Sequence, residues 1–112
     1  SLTDIKAKIK MIIFNTTFHL EDEIHDECLA YLRDEYIPQA IKDALLHDPR
    51  LALIHAQHEE SGVSYSLQFR TKDVETLEVW MEGVGQELQK DMNARFGAKA
   101  CGFMTLLEEI EL

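Results

Sequence analysis

Apolar and polar positions alternate along residues 10–20, a run rich in β-branched and aromatic side chains, which predicts a first strand with two unlike faces. Ile12, Phe14, Phe18 and Leu20 share one face. Met11, Ile13, Asn15, Thr17 and His19 share the other, which grows more polar toward its end. From Asp22, read as an N-terminal cap, the spacing turns helical through Ile24, Cys28, Leu32 and the Glu35-Tyr36 pair. Proline disfavours helix in the residue before it, so Tyr36-Ile37-Pro38 predicts a kink, followed by a short helix carrying Ile41 and Leu45 that ends at Asp48-Pro49.

Residues 51–58 and 63–71 read as two strands joined through Glu59-Glu60-Ser61-Gly62. A two-residue loop pairs Glu60 with Val63 and a four-residue loop pairs His58 with Val63, and both give the same parity. Ile54, Ala56 and His58 then stand with Val63, Tyr65, Leu67 and Phe69. Leu53, His55 and Gln57 stand with Ser64, Ser66, Gln68 and Arg70 on a polar open face. Asp73 opens a second helix whose stripe is Val74, Leu77, Met81, Val84 and Leu88, flanked by Trp80 and Met92. Gly83 and Gly85 in its middle predict a close contact or a bend. Phe96-Gly97 stops that helix, and residues 101–107 form the last strand.

The order β-α-β-β-α-β predicts an α+β, ferredoxin-like fold: a four-stranded antiparallel sheet with two helices on one face. Residues 1–10 read as a polar N-terminal extension and residues 11–112 as a single domain. The semi-apolar open face predicts a homodimer whose interface includes Met11, Ile13 and Leu53.

Composition narrows the class. A chain of 112 residues, 46% apolar and 29% charged, suits one ordinary core, and the longest apolar run, residues 11–14, is far short of the ~20 that span a bilayer. Lys plus Arg is 11 against 21 Asp plus Glu, and a net charge of −10 repels a polyanion, which excludes nucleic acid as an expected partner. The acid concentrates in residues 21–35 and near Glu108, Glu109 and Glu111, and reads as solvated surface. No leader pattern is present, so the expectation is a soluble cytoplasmic protein without a membrane partner. Cys28 and Cys101 lack CxxC spacing and read as buried apolar side chains. Five histidines invite a metal reading, but His55 and His58 fall on opposite faces of a strand, and His25 with Cys28 makes only two ligands, so no metal is expected.

Several segments carry a family resemblance: Met11-Ile12-Ile13-Phe14-Asn15-Thr16-Thr17, Tyr36-Ile37-Pro38, Tyr65-Ser66-Leu67-Gln68-Phe69-Arg70, Arg95-Phe96-Gly97 and the Leu-Glu-Glu near the end. In their order and spacing, residues 11–110 resemble the bacterial domain-of-unknown-function family numbered 4286. That family is similar to the dimeric α+β barrel group, in which two ferredoxin-like sheets face each other. The resemblance brings no established activity with it. The wider group includes cofactor-free monooxygenases, haem-degrading enzymes and muconolactone isomerase-like enzymes. The haem-degrading pattern sets an Asn on the first strand beside a later Trp and His. Asn15 fits, whereas Trp80 falls in a helix stripe and no His follows His58, so no cofactor is expected.

The better constellation is the open face, where Asn15, His19, His55, Gln57, Ser66, Gln68 and Arg70 are the candidate ligand-binding residues. Histidine would serve as a general base, and Arg70, the one cation predicted on that face, as the anchor for a small anionic ligand. The competing role for Arg70 is an ion pair across the dimer with Glu108 or Glu109. No residue pair fixes a reaction. The reading is therefore a homodimeric, non-catalytic binding or regulatory module. The alternative is a small cofactor-free enzyme of the dimeric α+β barrel type, monooxygenase- or isomerase-like, acting on a small organic acid.

Overall fold

The computed structural model of the chain describes residues 1–7, 9–55 and 61–112. A short helix α1 (Leu2–Ala7) precedes β1 (Ile9–Leu20). A 3-10 turn at Asp22–Ile24 leads into α2 (His25–Tyr31), a π-helical turn (Leu32–Tyr36) and α3 (Ile37–Ala40). Next come β2 (His47–Leu53), β3 (Val63–Thr71) and α4 (Val74–Trp80). A second π-helical turn (Met81–Gly85), α5 (Gln86–Phe96) and β4 (Ala100–Ile110) complete the chain. The fold is α+β, with one antiparallel sheet in the order β2-β3-β1-β4.

The alternation of β1 divides the sheet as its pattern predicts. Phe14 stands opposite Phe69, Thr16 opposite Leu67 and Phe18 opposite Tyr65, and cross-strand partners share a face. That face meets Leu32 and Tyr36 from the first helical run and Leu77, Trp80, Leu88 and Phe96 from the second, which together form the core. Phe14 meets Trp80, and Phe18 meets Tyr36, edge to face at ring separations of 5.5 and 5.7 Å. Each such side chain withdrawn from water contributes roughly 1.5–3 kcal/mol, so the contrast between the two faces of β1 alone fixes which side the helices take.

Local chemistry explains several departures from the predicted elements. Asp22 makes no capping bond, and the helix proper starts three residues later. Pro38 does not kink the chain: Ile37 keeps helical angles of −62° and −48°, and the proline occupies the first turn of α3, where its missing N–H is tolerated, just after the π turn. The helix ends at Ala40, so Ile41 and Leu45 pack on the core from a turn. β2 starts at His47 and contains Pro49, which is accommodated because β2 is an edge strand with a register irregularity between His47 and Arg50. Asp73 does cap the second helical run, accepting from the Thr76 amide at 2.8 Å. Beyond it, Val74 and Met81 are exposed while Trp80 is buried, because the π turn adds a residue and rotates the stripe. Gly97, at φ +56°, closes α5.

The largest correction concerns parity. Leu53 stands opposite Tyr65, Ala52 opposite Ser66 and Leu51 opposite Leu67, so beyond the irregularity the odd positions Leu51 and Leu53 belong to the helix side, whereas His47, before it, stands opposite Arg70 on the open face. A slip of one residue moves every side chain to the other face. Leu53 therefore leaves the open face, and with it the predicted interface of Met11, Ile13 and Leu53. Ala56, Gln57, His58, Glu59 and Glu60 lie outside the described residues. Cys28 is buried in the core as expected, but Cys101 is exposed on edge strand β4.

Candidate functional site

The open face of the sheet holds two polar clusters. At one end His19 meets the Ser64 hydroxyl through Nδ1 at 2.8 Å and the Ser61 carbonyl through Nε2 at 3.1 Å. A carbonyl only accepts, so Nε2 carries the proton and, in the neutral ring, Nδ1 accepts from Ser64. Gly62 makes this approach feasible: it sits at φ +86°, and a Cβ there would stand 2.6 Å from His19 Nε2. Beside it, Ser66 donates to Asn15 Oδ1, and Asn15 Nδ2 donates to Thr17 at 3.1 Å.

At the other end Arg70 donates to Asp48 at 3.1 Å and to Glu109 at 3.0 Å. These partners hold its guanidinium above the usual range, with the Asp48 hydrogen bond the largest cause. Glu109 belongs to the same chain, which removes the need for a pair across a dimer. Arg70 is also accompanied: Lys10 approaches Glu109 at 3.9 Å, and Lys10, Arg50, Gln68 and Arg70 line a depression of about 390 Å³. Its Nε is buried and finds no partner among the described residues. His19 and Arg70 face Ser64 and Ile13 respectively across the β1–β3 ladder, six positions apart, or roughly 20 Å along a strand. Of the predicted set, Asn15 and Ser66 join the His19 end and Gln68 the Arg70 end. His55 lies exposed beyond the end of β2, and Gln57 is outside the described residues.

A larger cavity than the one at Arg70 is on the other side of the sheet. A groove of about 460 Å³ runs between α5 and β4, floored by Phe14, Phe18 and Met104 and walled by Tyr36, Trp80 and Met92. Its rim carries Gln86, Gln89, Lys90 and Asn93. Space exists there because side chains are missing: Gly85, Gly97 and Gly102 all line it. A Cβ on Gly85 would meet the Trp80 ring at 2.6 Å, whereas one on Gly102 would make ordinary contact with Phe18 at 3.4 Å. Burial pushes the Tyr36 hydroxyl up to about 12, so it stays neutral at physiological pH. Trp80 Nε1 donates 2.8 Å to the Ala40 carbonyl, one of the free carbonyls at the end of α3, and this fixes the wall.

A second network ties the helical runs together and was not singled out in the sequence. Tyr31 donates to Asp91 at 2.6 Å, and Arg95 holds Glu35 with both Nη atoms at 3.1 and 3.2 Å while lying 4.5 Å above the Tyr31 ring. Burial, then the Asp91 bond, raises the Tyr31 hydroxyl, and that same bond lowers Asp91. His25 is likewise engaged, with Asp26 at 2.8 Å and the Tyr65 hydroxyl at 2.6 Å. Among the described residues no three His, Cys, Asp or Glu side chains gather as a metal site, and no helix is long and apolar enough to cross a membrane.

Comparison with known proteins places the fold. No curated protein matches the chain. A crystal structure of an ethyl tert-butyl ether D (EthD) family protein from Bacillus halodurans superposes with a TM-score of 0.69, covering 89% of this chain and 100% of that one, at 19% identity. At that identity the likeness is one of fold. The model of the domain of unknown function DUF4286 matches residues 11–110, nearly the full length, and the chain belongs to that family.

Proposed function

We propose that this chain is a non-catalytic binding module, working as a homodimer of ferredoxin-like domains, that takes a small and largely apolar molecule in the groove between α5 and β4. The observation that carries the reading is the lining: aromatic and thioether walls under a rim of neutral amides, with Lys90 the sole residue of the lining charged at neutral pH. Such a site desolvates an apolar body and orients its polar atoms through Gln86, Gln89 and Asn93. Binding is favoured over catalysis because His19 and the strongest anion anchor, Arg70, stand too far apart to act on one small acid, and His47, which lies opposite Arg70, is exposed at the sheet edge.

Mass spectrometry of the purified protein under non-denaturing conditions tests this. A co-purifying small molecule held by the wild type and lost in Gly102→Leu, which fills the groove, supports it. A molecule retained by Gly102→Leu places binding elsewhere. A second reading, a small carboxylate at Arg70, rests on the unpartnered Nε beside the 390 Å³ depression. Calorimetric titration with small acids that Arg70→Ala abolishes would favour it.

A further inference from the structure

The groove is open along the outer edge of β4, and β4 is unlike an ordinary edge strand. It spans eleven residues, pairs on one side only among the described residues, and bares apolar side chains on both faces. Phe103 and Leu107, 65% and 42% exposed, lie on the open face opposite Thr17 and Ile13. Met104 and Leu106, 55% and 49% exposed, lie on the groove side opposite Thr16 and Phe14. A long apolar edge is a template for another strand.

The side-chain order says which strand fits. Placed antiparallel to itself about Thr105, β4 sets Phe103 against Leu107 on one face and Met104 against Leu106 on the other, twice over. The same register sets Glu108 against Gly102 and Glu109 against Cys101, and carries Glu111 toward Lys99. A parallel alignment would instead stack the acids of two chains that each carry a net charge of −10.

We infer that a second copy of this chain adds itself antiparallel along β4, about a two-fold axis at Thr105, and supplies through its Leu106 the missing wall of the groove. This rests on the groove being the binding site, and it makes ligand binding and dimer formation mutually reinforcing.

Cross-linking tests the pairing. Opposed residues of antiparallel strands lie about 4.5–5.5 Å apart at Cα, within reach of a disulfide. Thr105→Cys in a Cys101→Ser background should therefore oxidise to a covalent dimer. Wild-type Cys101, though exposed, should not, because its two copies would stand roughly 26 Å apart in this register. The probe for the groove is anilinonaphthalene sulfonate, and the linked dimer should hold it on the order of tenfold tighter than the reduced protein diluted to monomer. If light scattering gives twice 12.9 kDa while Thr105→Cys links no faster than Cys101, the β4 pairing is wrong although the homodimer stands. A monomer at every concentration overturns both. Equal probe affinity in linked dimer and monomer overturns the completion of the groove by the second copy.

Discussion

The Trp80 indole and the Ala40 carbonyl, 2.8 Å apart in the core, join the end of the first helical run to the end of α4, just before the π turn of the second. The bond satisfies a carbonyl that the end of α3 leaves free and holds the aromatic ring as a wall of the groove. Trp80→Phe keeps an apolar ring but leaves the Ala40 carbonyl buried and unpaired. It should lower stability by about 1–3 kcal/mol in urea denaturation, and an unmoved midpoint would show the bond to be idle.

Gly83 and Gly85, two residues apart in the same π turn, should respond in opposite senses. A Cβ at Gly83 meets nothing within 4 Å, so Gly83→Ala gains from reduced chain entropy and should stabilise by about 0.5–1 kcal/mol. Gly85→Ala drives a methyl into the Trp80 ring and should destabilise by roughly 1–3 kcal/mol. Thermal denaturation of the two variants side by side decides this, and equal shifts would contradict it.

Leu77 is fully buried, and Leu77→Ala should cost about 2–5 kcal/mol through lost transfer energy and a residual cavity. Val84→Ala removes less and should cost less. Urea midpoints measure both, and the order Leu77 above Val84 is the informative part.

The two cysteines should behave as different species. Burial chiefly, and the neighbouring Glu27 carboxylate, push the Cys28 thiol from 9.0 up to about 11. Its folded value is thus above its unfolded value, so its contribution to stability is complete below about pH 9 and is lost as the pH rises toward 11. At neutral pH a thiol reagent should label Cys101 at once and Cys28 only on unfolding. Two fast-reacting thiols in the folded protein would contradict the core assignment.

What the chain discloses on inspection follows from how local each signal is. The two faces of β1 are legible because burial acts on alternate residues of one continuous strand, and the Asp73 cap is legible because capping spans three residues. The face of β2 was not, since it depends on the length of the connection to β3. An even-numbered loop and the observed register, in which Leu53 meets Tyr65, give opposite parities, and residues 56–60 carry no signal strong enough to choose. His55 consequently fails to join His19. The π turns escape a 3.6-residue pattern and displace Met81 in favour of Trp80. The groove is the least legible feature, because it is made of absent volume at Gly85, Gly97 and Gly102, which only the fold brings together.

Trp80 is the only tryptophan in the chain and lines the groove, so its emission reports occupancy of the site directly. Titration with anilinonaphthalene sulfonate should give saturable quenching of Trp80 at one probe per groove in the wild type. The quenching should vanish in Gly102→Leu, whose urea midpoint stays close to that of the wild type. Equal quenching in both proteins, or none in the wild type, would contradict the groove as the binding site.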